Sequence, residues 1–493
     1  MMSTIEVSNL TFCYDGSYDY IFENVSFRIN TSWKLGFTGR NGRGKTTFLH
    51  VLLGKYEYSG HILADVEFDY FPYTVEQPET MTLEALQTIT PNLELWQLLR
   101  ELSLLHVDEE ALYRPFSTLS EAEKTKVLLA AMFLKANSFL LIDEPTNHLD
   151  LQARQLVGDY LRGKSGFILV SHDRAFLDGC VDHILSINKT NIDIHKGNFS
   201  TWWDNKTRQD QYELSESKKL KKDIGRLREA EGRTSAWSHE VEQTKNGTRN
   251  SGSKVDKGYI GHKAEKMMKR SKSIEKRRQN AIEGKSKLLH NIESSDHLKI
   301  TQAVYHKRRL AELEKVSIRY DGRNACTDVS FVLEQGDRIA LSGRNGSGKS
   351  SILKLICGEQ VDYTGGYRIG SGLDISYVSQ TTSHMHGSLS DYARNSNIDE
   401  STFKAILRKL DFSRLQFEKD ITAFSAGQKK KVLLAKSLCE QAHVHIWDEP
   451  LNYIDVISRM QIEELLQQYA PTLIVVEHDS VFIQAVATKI VYL

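Results

Sequence analysis

The feature that most constrains this chain is a glycine-rich octapeptide that occurs twice. In both occurrences two glycines are separated by four residues, and the second glycine is followed by Lys and then by Thr or Ser. Each occurrence lies between a strand-like run and a helix-like run. Glycines let backbone N–H groups close around anionic oxygens, the lysine reaches the β- and γ-phosphates, and the final hydroxyl holds Mg²⁺. The sequence therefore predicts two ATP·Mg²⁺ sites, formed by Gly39, Arg40, Asn41, Gly42, Arg43, Gly44, Lys45, Thr46 and Thr47, and by Gly343, Arg344, Asn345, Gly346, Ser347, Gly348, Lys349, Ser350 and Ser351.

Further motifs recur after each phosphate loop, at an offset of about 305 residues. The matched pairs are Tyr14 with Tyr320, Gln77 with Gln380, Asp143-Glu144 with Asp448-Glu449, and His172 with His478. Short β-branched runs alternate with helical stretches, which is typical of a mostly parallel sheet covered by helices. We therefore predict an α/β fold with two phosphate-loop ATPase domains in tandem, here called the first and the second copy.

The segment between the copies has a different composition. Between Lys206 and Leu310 there are 27 Lys/Arg against 14 Asp/Glu, a surplus of 13, although the whole chain has a formal net charge of zero. Its sparse apolar residues, such as Leu220, Ile224 and Leu227, have the spacing of a narrow helical seam. This pattern predicts a long helical hairpin with a loop at 238–261, and a persistent basic surplus favours polyanion binding over a merely solvated surface. The predicted domains are 1–204, 205–310 and 311–493.

Carboxylates and histidines follow the predicted strands of both copies. Asp143 and Asp448 are expected to serve the metal, while the next residue, Glu144 or Glu449, orients and deprotonates the attacking water. The recurrence of a histidine after each Asp-Glu pair favours a γ-phosphate contact by His172 and His478. Gln77 and Gln380 are expected near the nucleotide. Tyr14 and Tyr320 are expected either to stack on adenine or to pack as core tyrosines.

Composition excludes several classes of protein. The five cysteines are an odd number without a Cys-x-x-Cys pair, which argues for free thiols in a reducing cytosol and against disulfides or zinc. The N-terminus carries no signal segment, and the longest apolar runs fall far short of the ~20 residues that span a bilayer. We therefore expect a cytoplasmic protein that does not itself cross a membrane.

The order of these motifs resembles the ATP-binding-cassette family over both copies. The Leu-Ser-Gly-Gly-Gln signature of that family corresponds to Phe424-Ser425-Ala426-Gly427-Gln428 in the second copy and to the divergent Leu119-Ser120-Glu121-Ala122-Glu123 in the first. The resemblance implies a monomer whose two copies close head to tail on two ATP, each nucleotide lying between one copy's phosphate loop and the other copy's signature. Site one then joins Lys45 to Ser425, Gly427 and Gln428, and site two joins Lys349 to Ser120. We expect slower turnover at site two.

Two fused domains with a long basic helical linker are similar to the ABC-F subfamily, and the first phosphate loop resembles that of its antibiotic-resistance branch. The resemblance implies a bacterial ribosome as partner, with the linker contacting ribosomal RNA and tRNA at the tRNA exit-side site and displacing lincosamides, pleuromutilins or streptogramin A. A housekeeping translation factor of the same architecture and a fused transport ATPase remain alternatives, whereas a DNA-repair ATPase would be expected to carry zinc-type cysteine clusters. The candidate RNA contacts at the linker apex are Lys245, Arg249, Lys254, Lys257 and Tyr259.

Overall fold

The computed structural model describes residues 3–14, 20–147, 149–187, 191–243, 257–288, 298–300, 302–320, 323–344 and 346–493. Within these ranges the chain divides into two compact units. The α/β unit comprises Met1–Trp202 with Ser295–Leu493, and the helical unit comprises Trp203–Ser294. Among the predicted site residues, Asn345, Lys245, Arg249 and Lys254 lie outside the described residues.

The first copy consists of two sheets with helices. Its antiparallel sheet has the order β2-β1-β4, and its larger sheet has the order β5-β6-β7-β3-β8-β9, parallel except for β9. The strands are β1 Thr4–Phe12, β2 Phe22–Asn30, β3 Lys34–Thr38, β4 Ser59–Leu63, β5 Glu67–Phe71, β6 Ser138–Asp143, β7 Phe167–Val170, β8 His183–Ile187 and β9 Ile192–Lys196. The helices are α1 Lys45–Leu52, α2 Thr82–Ile89, α3 Leu95–Leu104, α4 Glu121–Met132, α5 Leu151–Arg162 and α6 Arg174–Cys180.

The second copy repeats this plan. Its sheets have the orders β11-β10-β13, antiparallel, and β14-β15-β16-β12-β17, parallel. The strands are β10 Arg309–Tyr320, β11 Arg323–Glu334, β12 Arg338–Ser342, β13 Tyr363–Ile369, β14 Ile375–Val378, β15 Val444–Asp448, β16 Leu473–Val476 and β17 Lys489–Tyr492. The helices are α9 Lys349–Ile356, α10 Leu389–Asn395, α11 Glu400–Lys409, α12 Ala426–Cys439, α13 Val456–Tyr469 and α14 Ser480–Val486.

The central parallel strands have helices on their faces and are therefore apolar along their whole length. In β7 and β16 every residue is buried, as continuous runs of β-branched, leucine and phenylalanine side chains predict. Because parallel strands expose their carboxyl ends at one edge, the residues after β3, β6 and β7 meet there, and so do their counterparts in the second copy. The α/β fold with two tandem ATPase domains is thus confirmed.

In the sequence, two long helices lie between the copies, α7 Phe199–Gln243 and α8 Lys257–Leu288. They extend into both ends of the loop predicted at 238–261, because a helical backbone needs only residues of adequate helix propensity and no apolar periodicity. Leu298, Ile300 and Tyr305, which lie within the predicted linker 205–310, are buried in the core of the second copy. The pairing of α7 and α8 as a hairpin stays a prediction.

Candidate functional site

Each phosphate loop has the backbone that its glycines predict. Gly44 and Gly348 adopt left-handed φ angles of 92° and 83° and directly precede α1 and α9. A Cβ at Gly44 would lie 2.4 Å from Cγ2 of Ile21, and a Cβ at Gly348 would lie 2.8 Å from the carbonyl oxygen of Ala325. Only glycine fits both the conformation and the space, and the N–H groups that open each helix are left facing the site.

The two loop lysines fold back on their own loops. Nζ of Lys45 donates to the carbonyl oxygens of Gly39 at 2.7 Å and Arg40 at 3.2 Å, and Nζ of Lys349 donates to those of Gly343 at 2.8 Å and Arg344 at 2.9 Å. Burial lowers the pKa of Lys45 and Lys349 from the ordinary lysine value. A phosphate oxygen would supply these buried ammonium groups with an anionic partner.

The Asp-Glu pairs lie at the carboxyl ends of β6 and β15. Oγ1 of Thr46 donates to Oδ2 of Asp143 at 2.9 Å, and Oδ1 of Asp448 is buried without a hydrogen-bond partner among the described residues. Glu144 and Glu449 have left-handed φ angles of 50° and 48°. This conformation is strained for a glutamate, so the surrounding fold must impose it at both sites.

The site histidines lie beside these glutamates. Nε2 of His172 is 3.3 Å from Oε1 of Glu144, and Nε2 of His478 is 3.8 Å from Oε1 of Glu449. Burial lowers the pKa of His172 well below its usual value and that of His478 to about 4, so both imidazoles are neutral at pH 7. Burial also raises the pKa of Glu144 to about 8, because nothing nearby fully compensates a charge there.

A cavity of about 350 Å³ lies against the first phosphate loop. The exposed ring of Tyr14 forms one wall, and its hydroxyl is 2.6 Å from Oγ1 of Thr47. The predicted residues that line this cavity are Tyr14, Asn41, Gly42, Gly44, Lys45, Thr46, Thr47, Asp143, Glu144 and His172.

A second cavity of about 370 Å³ lies against the other loop. Leu149 and Arg154, which belong to the first copy, line it together with residues of the second copy. Both copies therefore contribute to the wall around the second phosphate loop. The predicted residues that line it are Tyr320, Gly346, Gly348, Lys349, Ser350, Ser351, Gln380, Glu449 and His478.

Gln77 is the predicted residue whose local structure differs most from expectation. The preceding strand ends at Phe71 because Pro72 has no N–H to continue the ladder, so Gln77 follows an irregular segment and does not line the first cavity. Gln380 lies two residues beyond β14 and does line its cavity. Gln77 therefore matches Gln380 in the sequence repeat, but the two residues do not have equivalent positions relative to the cavities.

The signature residues form helix N-termini. Oγ of Ser120 accepts from the N–H of Glu123 at 3.2 Å, and Oγ of Ser425 accepts from the N–H of Gln428 at 3.3 Å. Both serines therefore open capping boxes, at α4 and α12. Neither serine lines the cavity at either phosphate loop, and their contact with nucleotide stays a prediction.

The second copy approaches the first phosphate loop closely. Nδ2 of Asn41 donates to the carbonyl oxygen of Tyr453 at 2.7 Å, and a Cβ at Gly427 would lie 3.1 Å from the same Nδ2. Nη2 of Arg43 lies 3.6 Å from Oδ1 of Asp411. These contacts bring Gly427 to the first phosphate loop, as the head-to-tail arrangement requires.

Sequence reasoning missed several residues of both sites. Leu149 and Arg154 line the second cavity, and Tyr453 and Asp411 contact the first loop, although none belongs to a motif singled out above. The only available signal was position, because Leu149 and Tyr453 both follow an Asp-Glu pair at a short distance. Their partners are hundreds of residues away, so spacing alone could not reveal them.

Comparison with known proteins agrees with this geometry. The family model described as ABC transporter matches residues 22–147 and 326–452. The chain is 28% identical to the ribosome protection protein VmlR of Bacillus subtilis, over 98% of this chain and 85% of VmlR. It is 26% identical to the putative ATP-binding protein YdiF of the same organism, over 100% of this chain and 80% of YdiF.

A solved structure of an archaeal ribosome recycling factor, aABCE1, in complex with a ribosomal stalk protein has a similar fold. It aligns with a TM-score of 0.63 at 17% identity, covering 98% of this chain and 87% of that one. At this identity the likeness concerns the fold alone. The two family matches together cover more than half of the chain, and they contain both phosphate loops and both Asp-Glu pairs. The chain therefore belongs to the ATP-binding-cassette family, whose domains bind and hydrolyse ATP.

Proposed function

We propose that this chain is an ABC-F ATPase that binds the bacterial ribosome and protects it from antibiotics acting at the peptidyl-transferase centre. In this proposal the two copies act as a cytoplasmic monomer that closes on two ATP. The helical unit then contacts ribosomal RNA and tRNA at the tRNA exit-side site and displaces the drug. The relative VmlR, named a ribosome protection protein, supports the proposal.

The observation that carries the ribosome proposal is the pair of long basic helices. Between 203 and 294 there are 23 Lys/Arg against 14 Asp/Glu, a surplus of nine. The described cations of α7 and α8 are exposed except Lys206 and Arg278, while Leu220, Ile224 and Leu227 form a narrow, partly covered stripe on α7. A helix with so little apolar surface and so many exposed cations suits the phosphate backbone of RNA.

The residues present fit Mg²⁺ at each site. The buried, unpaired Oδ1 of Asp448 and the paired oxygens of Thr46 and Asp143 are hard ligands of the kind that Mg²⁺ takes alongside phosphate oxygens. When bound, the ion would neutralise charge that develops on the phosphates. We propose Thr46 with Asp143, and Ser350 with Asp448, as its protein ligands.

The geometry of the glutamates supports the proposed hydrolytic roles. Oε1 of Glu144 is buried and makes no hydrogen bond among the described residues, so it can accept a proton from a water placed between it and the γ-phosphate. Burial raises the pKa of this carboxyl, so its ionised form is a stronger base than an exposed glutamate, and a cation bound beside it would favour that ionised form. The neutral His172 holds its Nε2 beside the same oxygen and can contact the γ-phosphate. Glu449 and His478 have the equivalent roles at site two.

Ribosome binding is tested with a variant that binds ATP without hydrolysing it. The Glu144→Gln/Glu449→Gln double variant should cosediment with bacterial ribosomes in ATP and much less in ADP. In the proposal, ATP that is not hydrolysed keeps the two copies closed on each other. Binding should weaken steeply with salt, as phosphate contacts require. If the double variant stays in the supernatant when ribosomes are sedimented, both in ATP and in ADP, the proposal is contradicted.

The role of the basic helices is tested by charge removal. Lys221→Gln/Lys222→Gln on α7 should weaken ribosome binding and lower its salt dependence by about one power of salt for each lost phosphate contact. Lys354→Gln/Lys419→Gln removes two exposed lysines from the second copy and serves as the matched control. Equal effects of the two pairs would indicate nonspecific charge and would overturn the role given to the helices.

Drug protection is tested by expression in a sensitive bacterium. Inhibition by lincosamides, pleuromutilins and streptogramin A should require higher drug concentrations, and Lys257→Gln or Tyr259→Ala should reduce that gain without reducing cosedimentation. Ribosome binding with no change for any ribosome-targeting drug would instead indicate a housekeeping translation factor. The 26% identity to YdiF, which is named only as a putative ATP-binding protein, is the reason to retain the housekeeping factor as the second candidate function.

A further inference from the structure

The two copies contact each other through an ion pair that is missing on the opposite side. Arg174, the first residue of α6, pairs with Glu463 of α13, and their side chains are only 11% and 16% exposed. The repeat places Ser480 and Gly158 at the equivalent positions, since Ser480 opens α14 and Gly158 lies eight residues after the N-cap of α5. Ser480 and Gly158 line one cavity of about 270 Å³. One side of this contact is thus filled by an ion pair and the other is hollow.

Both members of the ion pair belong to chain segments that also contribute to site one. Arg174 follows His172 by two residues, and His172 lies beside Glu144. Glu463 belongs to α13, which begins just after Tyr453, the residue whose carbonyl oxygen accepts from Asn41 of the first phosphate loop. The pair therefore joins the segment that carries the histidine to the segment of the other copy that contacts the phosphate loop.

The charges of Arg174 and Glu463 depend on each other because both side chains are largely buried. Nε of Arg174 is buried and has no hydrogen-bond partner among the described residues, so the Glu463 carboxylate provides the compensation for this buried charge. Removing either partner leaves the other as an uncompensated charge in a largely buried place. The segments on both sides would then shift to hydrate it.

We infer that Arg174 and Glu463 are positioning residues for ATP hydrolysis at site one, and that site two works without such a pair. The pair holds the His172 segment and the Tyr453 segment together when the copies are closed. This inference rests on the two-site ATPase of the proposed function but not on ribosome binding. Its test uses the full-length protein without ribosomes, so the two proposals can fail separately.

The test compares the two sites in one protein. Glu463→Gln is nearly isosteric and removes the charge, and it should lower kcat by about tenfold, since misplacement of about 1 Å can cost up to 10²-fold. The same loss should appear in a Glu449→Gln background, where site one is the intact site. In a Glu144→Gln background, where site two is the intact site, the change should be below about twofold.

Two further variants separate positioning from general stability. The reversed pair Arg174→Glu/Glu463→Arg should recover a substantial part of the lost kcat, because the ion pair is restored with opposite polarity. Glu6→Gln breaks the exposed ion pair with Arg28, whose side chain is 73% exposed, and should leave kcat unchanged. Thermal unfolding of each variant is measured alongside.

The outcomes are distinct. Site-selective loss of kcat with recovery in the reversed pair supports the inference. Equal loss in both backgrounds, no loss in either, or a lowered Tm with unchanged kcat would overturn it, because a purely structural ion pair would not distinguish the two sites.

Discussion

Gly427 gives the sharpest test of how the copies meet at site one. A Cβ added there would lie 2.3 Å from the carbonyl oxygen of Tyr453 and 3.1 Å from Nδ2 of Asn41. Carbon and oxygen atoms in proteins approach to about 3.3 Å even in favourable contacts. The Tyr453 carbonyl would therefore have to retreat by about 1 Å, and it is the acceptor of the 2.7 Å hydrogen bond from Asn41.

The expected effect on activity is local to site one, and the effect on stability is modest. Gly427→Ala should weaken a hydrogen bond worth about 1 kcal/mol and displace the facing segment by about 1 Å, which together should lower kcat at site one by roughly 10- to 100-fold. Gly427 lies in the first turn of α12, where alanine has the better helix propensity by at most about 1 kcal/mol. The lost hydrogen bond and the clash with a backbone carbonyl, which costs about 1–3 kcal/mol, outweigh this gain, so the free energy of unfolding should fall by about 1–3 kcal/mol.

The assay is steady-state phosphate release in the Glu449→Gln background, with the free energy of unfolding measured by urea titration. The matched control is Ala122→Gly at the equivalent position of α4, which should cost about 0.5–1 kcal/mol of stability and leave turnover nearly unchanged. An unchanged kcat for Gly427→Ala would refute the close approach of Gly427 to Tyr453. A variant that is partly unfolded at the assay temperature would attribute the effect to misfolding.

Three further outcomes follow from the site. Glu144→Gln should remove most ATP turnover and Glu449→Gln much less, because site one has the glycine-containing signature; equal losses in phosphate release would contradict this asymmetry. Tyr14→Ala should raise the KM for ATP by about tenfold through lost stacking, whereas Tyr14→Phe, which loses only the hydroxyl contact with Thr47, should change it less than about threefold. Burial raises the pKa of Glu477 to about 7, so the folded state binds this proton more tightly than the unfolded state. Stability from this group is lost as pH rises from about 4.5 to 7, by about 3 kcal/mol, and Glu477→Gln should remove that dependence in urea titrations at pH 5 and 7.5.

Most of the fold and many of the residues that line the two cavities could be predicted because their signals are local. A phosphate loop needs its glycines, lysine and hydroxyl within eight residues, and a buried strand before Asp143 is visible as a continuous apolar run. The constant offset then transfers each inference from one copy to the other. The same transfer failed for Gln77, because a proline after Phe71 changes the path of the chain in the first copy.

The contacts between copies could not be predicted because their partners are far apart in sequence. Arg174 and Glu463 are separated by 289 residues, and Asn41 and Tyr453 by 412. Neither pair has a motif, and the repeat predicts symmetry where the structure has an ion pair on one side and a cavity on the other. Three-dimensional packing was needed to bring these residues together.

The residues that differ between the copies indicate which part of each site would cause the expected difference in ATP turnover. The groups that handle phosphate and water are matched, down to the left-handed backbone of Glu144 and Glu449. The differences lie in residues that face the other copy, such as Gly427 against Ala122 and Arg174 against Ser480. In the proposed function, hydrolysis needs both the matched groups and a closed contact between the copies, and unequal contacts would then give the two sites unequal rates. If so, repairing the signature of α4 alone should leave site two slower than site one, since the hollow lined by Ser480 would remain.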